Sequence, residues 1–240
     1  MTDLLFYKQL TTLDKDKHAA LKLARTTDYR FAAATNSLPV VAVEFVEAHK
    51  EYPIVFVKGA DGGFLPVALV GLRDNENLCL GADGRWDGHY VPAFVRRYPF
   101  APADAGNNQM LVCFDETAAC LGSGEGEPLF VDGAQGPVLQ QALTLLQEYQ
   151  GQALRTQAFC QHLADFNLLM ESNAEARMND GTSHRLSGMY VVDEKRLQVL
   201  DPDKVQQLFA SGELSLIYAH LMSLGNLQRL VDRLAARTAS

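Results

Sequence analysis

The stretch IVFVKGADGGFLPVALVGL, residues 54–72, decides the fold of this chain. Two apolar runs rich in β-branched residues, 54–58 and 64–72, flank five residues that include three glycines. Apolar runs of this length around a short glycine-rich segment are typical of two antiparallel strands joined by a loop. The stretch therefore predicts a β-hairpin.

The segments around the hairpin are predicted to differ in structure. Residues 77–80 and 110–114 are two more apolar runs, and we expect both to add strands to the same sheet. Residues 40–49 are ambiguous, because their valines favour a strand whereas Ser37 and the early Pro39 are typical of a helix start. We predict a helix over this segment.

The second half of the chain changes to helical periodicity. From Pro137 onward, apolar residues recur at helical spacing, which predicts either two helices or one long helix kinked near Gly151. Residues 174–178 and 183–192 come next, and the Asp-Gly pair at 180–181 between them is a strong hairpin signal. A second hairpin is therefore expected inside the helical half.

Capping residues mark the helices near the C-terminus. Asp193 and Asp201 are helix-start signals, and Ser211-Gly212 is a stop. The remaining chain is amphipathic helix with a break near Gly225. Strands that come early and helices that come late favour the α+β class. We predict an antiparallel sheet with a hairpin in the N-terminal half and a helical C-terminal half packed against it.

Length and composition predict a globular protein. The chain has 240 residues, of which 48% are apolar and 21% charged, close to the usual globular balance. We expect a single domain over residues 1–240. The alternative is a division near residue 136, with residues 1–136 forming a strand-rich segment and residues 137–240 a helix-rich one.

Charge and hydropathy exclude two classes of partner. The net charge of −8, with no basic run, argues against nucleic acid as a partner. The longest nearly uncharged apolar stretch, residues 64–72, is half the length of a membrane span, which argues against membrane insertion.

Cysteines and the N-terminus indicate a cytoplasmic protein. Cys79, Cys113, Cys120 and Cys160 form no CxxC pair, so we expect four reduced, buried thiols. The N-terminal MTDLLFYK has an acid where a signal peptide carries lysine or arginine, and its apolar stretch is too short.

No motif for a metal, cofactor or nucleophile emerges. The six histidines are never closer than 22 residues, so none forms the i, i+4 pair of a helical zinc site. Ser123 lies between glycines, but Leu121 breaks the G-x-S-x-G pattern of a nucleophile elbow. We predict neither a metal nor a cofactor, and catalytic residues stay unknown.

The segment from residue 83 to residue 98 is the best candidate for a binding site. Between residues 85 and 98 it concentrates the only tryptophan, one histidine, two tyrosines and three arginines. Aromatic faces with guanidinium groups suit a carboxylate, phosphate or aromatic ligand. The alternative is a small core in which the arginines pair with acids. The candidate residues are Trp86, His89, Tyr90, Arg96, Arg97 and Tyr98.

Arg96 and Arg97 are expected to differ from each other. Pro92 and Pro99 bracket a short helix, on which adjacent side chains point about 100° apart. One arginine should therefore face inward and pair with an acid, while the other is available to a ligand.

Several stretches along the chain resemble one bacterial family. They are YPIVF (52–56), GLR (71–73) through NL (77–78), YVPAFVRRYPF (90–100), GEPLF (126–130), GMYVVDEKRL (188–197) and YAHLMSL (218–224). Together they are similar to the SapC family over nearly the whole chain. The family is named after a surface-layer-associated protein, and the resemblance implies a role in nutrient uptake or surface-layer-related processes. It brings no agreed catalytic residues, and the label of permease that some members carry conflicts with the lack of membrane spans.

Two hypotheses for the function follow. The first is a SapC-like accessory or binding protein that acts through the surface of residues 86–98, with an unidentified protein or a small anionic or aromatic ligand as partner. The alternative is an enzyme, a metal- or acid/base-dependent oxygenase or hydrolase, with a site built from His89, Glu44 and a further acid. A homo-oligomer is compatible with both.

Overall fold

The computed structural model describes residues 5–104, 110–177 and 183–238. The strands are β1 (Leu10–Thr12), β2 (Lys22–Leu23), β3 (Ser37–Pro39), β4 (Ile54–Lys58), β5 (Phe64–Leu69), β6 (Phe100–Asp104), β7 (Met110–Asp115), β8 (Leu121–Gly122), β9 (Glu127–Pro128), β10 (Phe130–Val131), β11 (Ala134–Gln135), β12 (Leu169–Arg177) and β13 (Ser183–Val192). The α-helices are α1 (Phe45–Ala48), α2 (Ala93–Arg96), α3 (Pro137–Asp165), α4 (Glu194–Gln198), α5 (Pro202–Ala210), α6 (Glu213–Ser223) and α7 (Leu227–Thr238). Strands dominate the first half and helices the second, so the α+β prediction is confirmed.

The largest sheet has five strands in the order β12-β13-β4-β5-β3, and all of its neighbours are antiparallel. At its centre lies the predicted hairpin, in which β4 and β5 pair from Ile54↔Ala68 to Lys58↔Phe64. The loop between them closes through a hydrogen bond from the Gly59 N–H to the Gly63 carbonyl, and Gly62 supplies the positive φ of 84° that the turn needs. The hairpin prediction is confirmed.

The helix predicted over residues 40–49 is only partly correct. Just before it, β3 pairs with the edge of β5, and its Leu38 is fully buried there. The chain then forms a 3₁₀ turn, Ala42–Glu44, followed by the single turn of α1. Burial against a strand that lies 30 residues further along outweighs the local helix-start signals of Ser37 and Pro39.

The two other predicted strands did not extend this sheet. Residues 77–80 form a loop, in which Leu80 makes an isolated bridge to Trp86. The Asn77 side chain holds that loop, since its amide bonds the Ala32 carbonyl and the Cys79 N–H. Residues 110–115 do form strand β7, but it belongs to a second sheet of order β1-β7-β6.

Helix α3 is the longest element, and it runs without interruption through Gly151. A side chain at Gly151 would meet open space, so this glycine lies on the solvent side of the helix. The opposite face buries Leu146, Phe159 and Leu163. Of the two expected alternatives, the structure has the single long helix.

The C-terminal predictions are confirmed where the described residues test them. Strands β12 and β13 pair as far as Arg177↔Ser183, while the Asp-Gly turn at 180–181 lies outside the described residues. Asp193 caps α4 by accepting two backbone N–H bonds, and Asp201 caps α5. A 3₁₀ turn, Leu224–Asn226, separates α6 from α7, which confirms the break near Gly225.

A buried histidine joins α6 to the centre of the sheet. The His220 Nδ1 lies 2.8 Å from the Ile54 carbonyl on β4, and its Nε2 accepts a 3.0 Å bond from the Val192 N–H on β13. Because Nε2 accepts, Nδ1 carries the proton and donates. The Ser223 hydroxyl accepts from the Ile54 N–H at 2.9 Å. The imidazole thus bridges two neighbouring strands beyond the end of their own ladder, which reaches only Tyr190↔Phe56.

Candidate functional site

The candidate segment folds around one buried carboxylate. Glu44 is 5% exposed, and its Oε1 accepts from the Ala93 N–H at 2.7 Å and from the Tyr90 hydroxyl at 2.6 Å. Its Oε2 accepts from the Val41 N–H at 2.9 Å. These three bonds fix the start of α2 to the 3₁₀ turn that carries Glu44. With its oxygens engaged in this way, Glu44 is built to hold structure and is poorly placed to take a proton from a substrate.

Trp86 belongs to the packed interior of the segment. Its indole N–H donates to the Tyr52 hydroxyl at 2.8 Å, and the Tyr52 hydroxyl in turn donates to the Tyr90 carbonyl. The indole also meets the Tyr29 ring edge to face, at 5.8 Å between centroids. Burial raises the pKa of Tyr52 well above its ordinary value, so its hydroxyl stays protonated as a donor. This end of the segment fits the alternative of a small core.

The two arginines of α2 separate as expected. Arg97 is 2% exposed, and its guanidinium lies over the rings of Phe94, at 4.1 Å, and Tyr149, at 5.0 Å. Arg96 is exposed; its Nε donates to the Val91 carbonyl at 3.0 Å, and its guanidinium carbon lies 5.9 Å from the centre of the Tyr90 ring. The inward and outward orientations are confirmed, while the pairing of the inward arginine with an acid stays a prediction.

Tyr98 points away from this surface. Its ring stacks on Phe31, at 4.0 Å between centroids, and its hydroxyl lies 3.4 Å from the Asp115 Oδ2. Burial by itself would raise the pKa of Asp115. Bonds from the Lys8, Gln9 and Thr117 N–H groups and the Thr117 hydroxyl outweigh it and hold that pKa below its ordinary value. Tyr98 and Asp115 therefore belong to the packing of the N-terminal segment on the second sheet.

His89 is exposed, and only its backbone is fixed. The His89 N–H donates to both oxygens of Glu51, at 2.9 and 3.0 Å. Among the described residues, no hydrogen bond or ion pair joins His89 to Glu44, the two residues on which the enzyme hypothesis rests. Of the six candidates, His89 and Arg96 are thus exposed and Tyr90 presents part of its ring. Arg97 is buried, and the half-buried Trp86 and Tyr98 pack against neighbouring rings.

A further concave surface was not predicted from the sequence. A groove of about 950 Å³ lies between helix α3 and the loop that joins β4 to β5. The glycines at 59, 62 and 63 and the alanines at 153 and 164 of α3 leave room for it. The glycine-rich loop was visible in the sequence, but only as a turn signal.

The described residues show neither a cluster of metal ligands nor a helix that could span a membrane. Within residues 5–104, 110–177 and 183–238, no group of three or more His, Cys, Asp or Glu side chains has the arrangement of a metal site. Across the same ranges, none of the helices combines the length and apolar character that crossing a membrane requires.

Comparison with known proteins gives a family and nothing narrower. No curated protein and no solved structure matches the chain significantly. The SapC family model matches residues 13–230, which is most of the chain and includes every candidate residue. This protein therefore belongs to the SapC family.

Proposed function

We propose that this SapC-family chain is a non-catalytic accessory or binding protein of the cytoplasm, which contacts its partner through the Arg96 surface, defined as His89, Tyr90 and Arg96. The observation that carries the proposal is the state of Arg96. This arginine is exposed and held in place, and it forms no ion pair with any described residue.

The side chain of Arg96 is already ordered, so binding a partner would cost little side-chain entropy. Its Nε is fixed on the Val91 carbonyl, and the Tyr90 ring beside it is anchored through its hydroxyl to Glu44. A guanidinium that is ordered in advance loses less side-chain entropy when it binds. Its terminal nitrogens suit the two oxygens of a carboxylate or phosphate.

Some of the other arginines are already neutralised by a nearby acid. Arg73 pairs with Glu76 and Arg196 with Asp193, each within one turn of chain. In a chain of net charge −8, acids are abundant, yet none pairs with Arg96 among the described residues. We infer an anionic group, on a protein or on a small ligand that can also stack on an aromatic ring, as the partner. The family points to nutrient uptake or a surface-layer-related process as the setting.

The test compares Arg96→Gln with two other arginine variants. Tagged wild type and variants are used to isolate partners from the source cells, followed by quantitative mass spectrometry. We expect Arg96→Gln to melt as the wild type does and to lose the enriched partner. Arg85→Gln is the matched control, since Arg85 is also exposed but pairs with Asp83. It should keep the partner.

Arg97→Ala should behave in the opposite way. Removing a large buried side chain from the rings of Phe94 and Tyr149 should cost about 2–4 kcal/mol of stability. Retention of every partner by Arg96→Gln would refute the Arg96 surface. Stoichiometric iron or zinc in the purified wild type would instead favour the enzyme hypothesis.

A further inference from the structure

The groove between α3 and the β4–β5 loop, called here the α3 groove, exists because strand β3 leaves the sheet early. The Val40 N–H still bonds the Pro66 carbonyl of β5 at 3.1 Å. One residue later the Val41 N–H turns to Glu44, and the Ala42 N–H bonds the Thr156 hydroxyl of α3 at 2.8 Å. The space beside β5 in which β3 would have continued is left open.

At the open edge of β5, the backbone groups of Phe64 hydrogen-bond with none of the residues that the structure describes. The Leu69 N–H bonds the Pro53 carbonyl and the Gly63 carbonyl accepts from Gly59, so the odd-numbered residues of β5 face β4. The backbone groups of the even-numbered residues therefore face the other edge of β5. At that edge β3 pairs with β5 only as far as Val67, and the Val40 N–H then bonds the Pro66 carbonyl. At Phe64 this leaves the N–H and the C=O directed at the α3 groove.

The remaining walls suit a peptide better than an anion. Helix α3 contributes the side-chain amides of Gln157 and Gln161, and Tyr149 closes one end. Among the described lining residues, Asp61 is the one charged side chain, so the groove favours neutral or basic ligands. The groove is lined by residues 63–66, which in extended conformation span about 13 Å, the length of about four residues of a bound peptide.

We propose that the α3 groove binds a short, neutral or basic peptide segment in extended conformation, as an additional strand that pairs with Phe64. Such strand addition takes its affinity from main-chain hydrogen bonds. In the α3 groove, the backbone groups of Phe64, the open space beside β5 and the charge of Asp61 lie together. The inference is independent of the Arg96 surface, which lies on α2 and the loop before it.

The test uses the peptide acetyl-Thr-Val-Lys-Val-Thr-amide with ¹⁵N-labelled full-length protein. We expect the Phe64 amide resonance to shift on titration, and its hydrogen exchange to slow by about tenfold or more in the complex. The same peptide with Glu in place of Lys should bind more weakly because of Asp61. A peptide methylated on its backbone nitrogens should not bind, since it keeps the side chains but lacks donors.

Two variants separate the groove from the rest of the helix. Ala153→Trp fills the groove and should abolish peptide binding, whereas Ala158→Trp, at an exposed position of the same helix, should leave it unchanged. Arg96→Gln should also bind the peptide as the wild type does. The proposal is overturned if the Lys peptide does not bind at about 1 mM, if Phe64 stays unprotected, or if Ala153→Trp binds normally.

Discussion

Protonation of His220 should weaken the fold as the pH falls. The imidazole is fully buried, and its Nε2 must be unprotonated to accept the Val192 N–H. Burial lowers the pKa of His220 to about 4, although the bond to the Ile54 carbonyl works in the opposite direction. A proton added to Nε2 would remove the acceptor from Val192 and place a charge in the core. The neutral histidine therefore favours the folded state.

The size of the effect follows from the two pKa values. The unfolded chain takes up the proton at its ordinary pKa of 6.5, and the folded chain only at about 4. The contribution of His220 is fully present above pH 6.5 and is lost as the pH falls through the folded pKa. It should shrink by about 1 kcal/mol at pH 5.5 and by about 2–3 kcal/mol at pH 4.5, towards a limit of about 3 kcal/mol.

The assay is urea denaturation of the wild type and of His220→Gln between pH 8 and pH 4.5. Glutamine can bond either Ile54 or Val192 but does not titrate, so it removes the contribution of His220 and keeps those of the acids. We expect the stability advantage of the wild type to fall by about 2–3 kcal/mol over this range. A difference that stays constant with pH would refute the reasoning.

Two smaller predictions concern a helix cap and the thiols. Asp193→Ala should cost about 1–2 kcal/mol in urea denaturation, because Asp193 caps α4 and pairs with Arg196, and Glu194→Ala should cost less; equal losses would contradict this cap. All four cysteines are free and should be titrated after denaturation, but burial raises the pKa of Cys79 to about 11 and that of Cys160 to about 12. In the native protein at pH 8 a disulfide reagent should therefore react first with the half-buried Cys113, and a fast phase that survives in Cys113→Ser would contradict this.

The parts of the fold that were predictable are those with local causes. The β4–β5 hairpin follows from two apolar runs and a glycine-rich loop, and the caps Asp193 and Asp201 follow from bonds to residues two or three positions away. Strand β3 was not predictable in this way. Its pairing with Leu69, Ala68 and Val67 decides its conformation, and nothing in residues 37–49 reports on that distant partner.

In the candidate site, too, the features with local causes were predictable and those that depend on distant residues were not. That Arg96 and Arg97 differ in orientation, one inward and one outward, follows from helical geometry alone, and this prediction is correct. The role of Trp86 depends on Tyr52, which lies 34 residues away, and composition cannot distinguish an indole that binds a ligand from one that bonds a buried phenol. The same holds for Tyr98, whose ring stacks on Phe31.

Glu44 connects the two surfaces proposed for binding. Through Oε2 it holds Val41, and this bond diverts the chain away from β5 and opens the α3 groove. Through Oε1 it holds Ala93 and Tyr90, and these bonds set the start of α2 and the ring beside Arg96. Glutamine in its place would offer one acceptor oxygen where the chain needs two, so one of the two surfaces would lose its support. A single buried carboxylate is thus shared by both, which is why loss of function in a Glu44 variant would not show which surface binds. The two surfaces are separated by variants that leave Glu44 unchanged, namely one at Arg96 and one at Ala153.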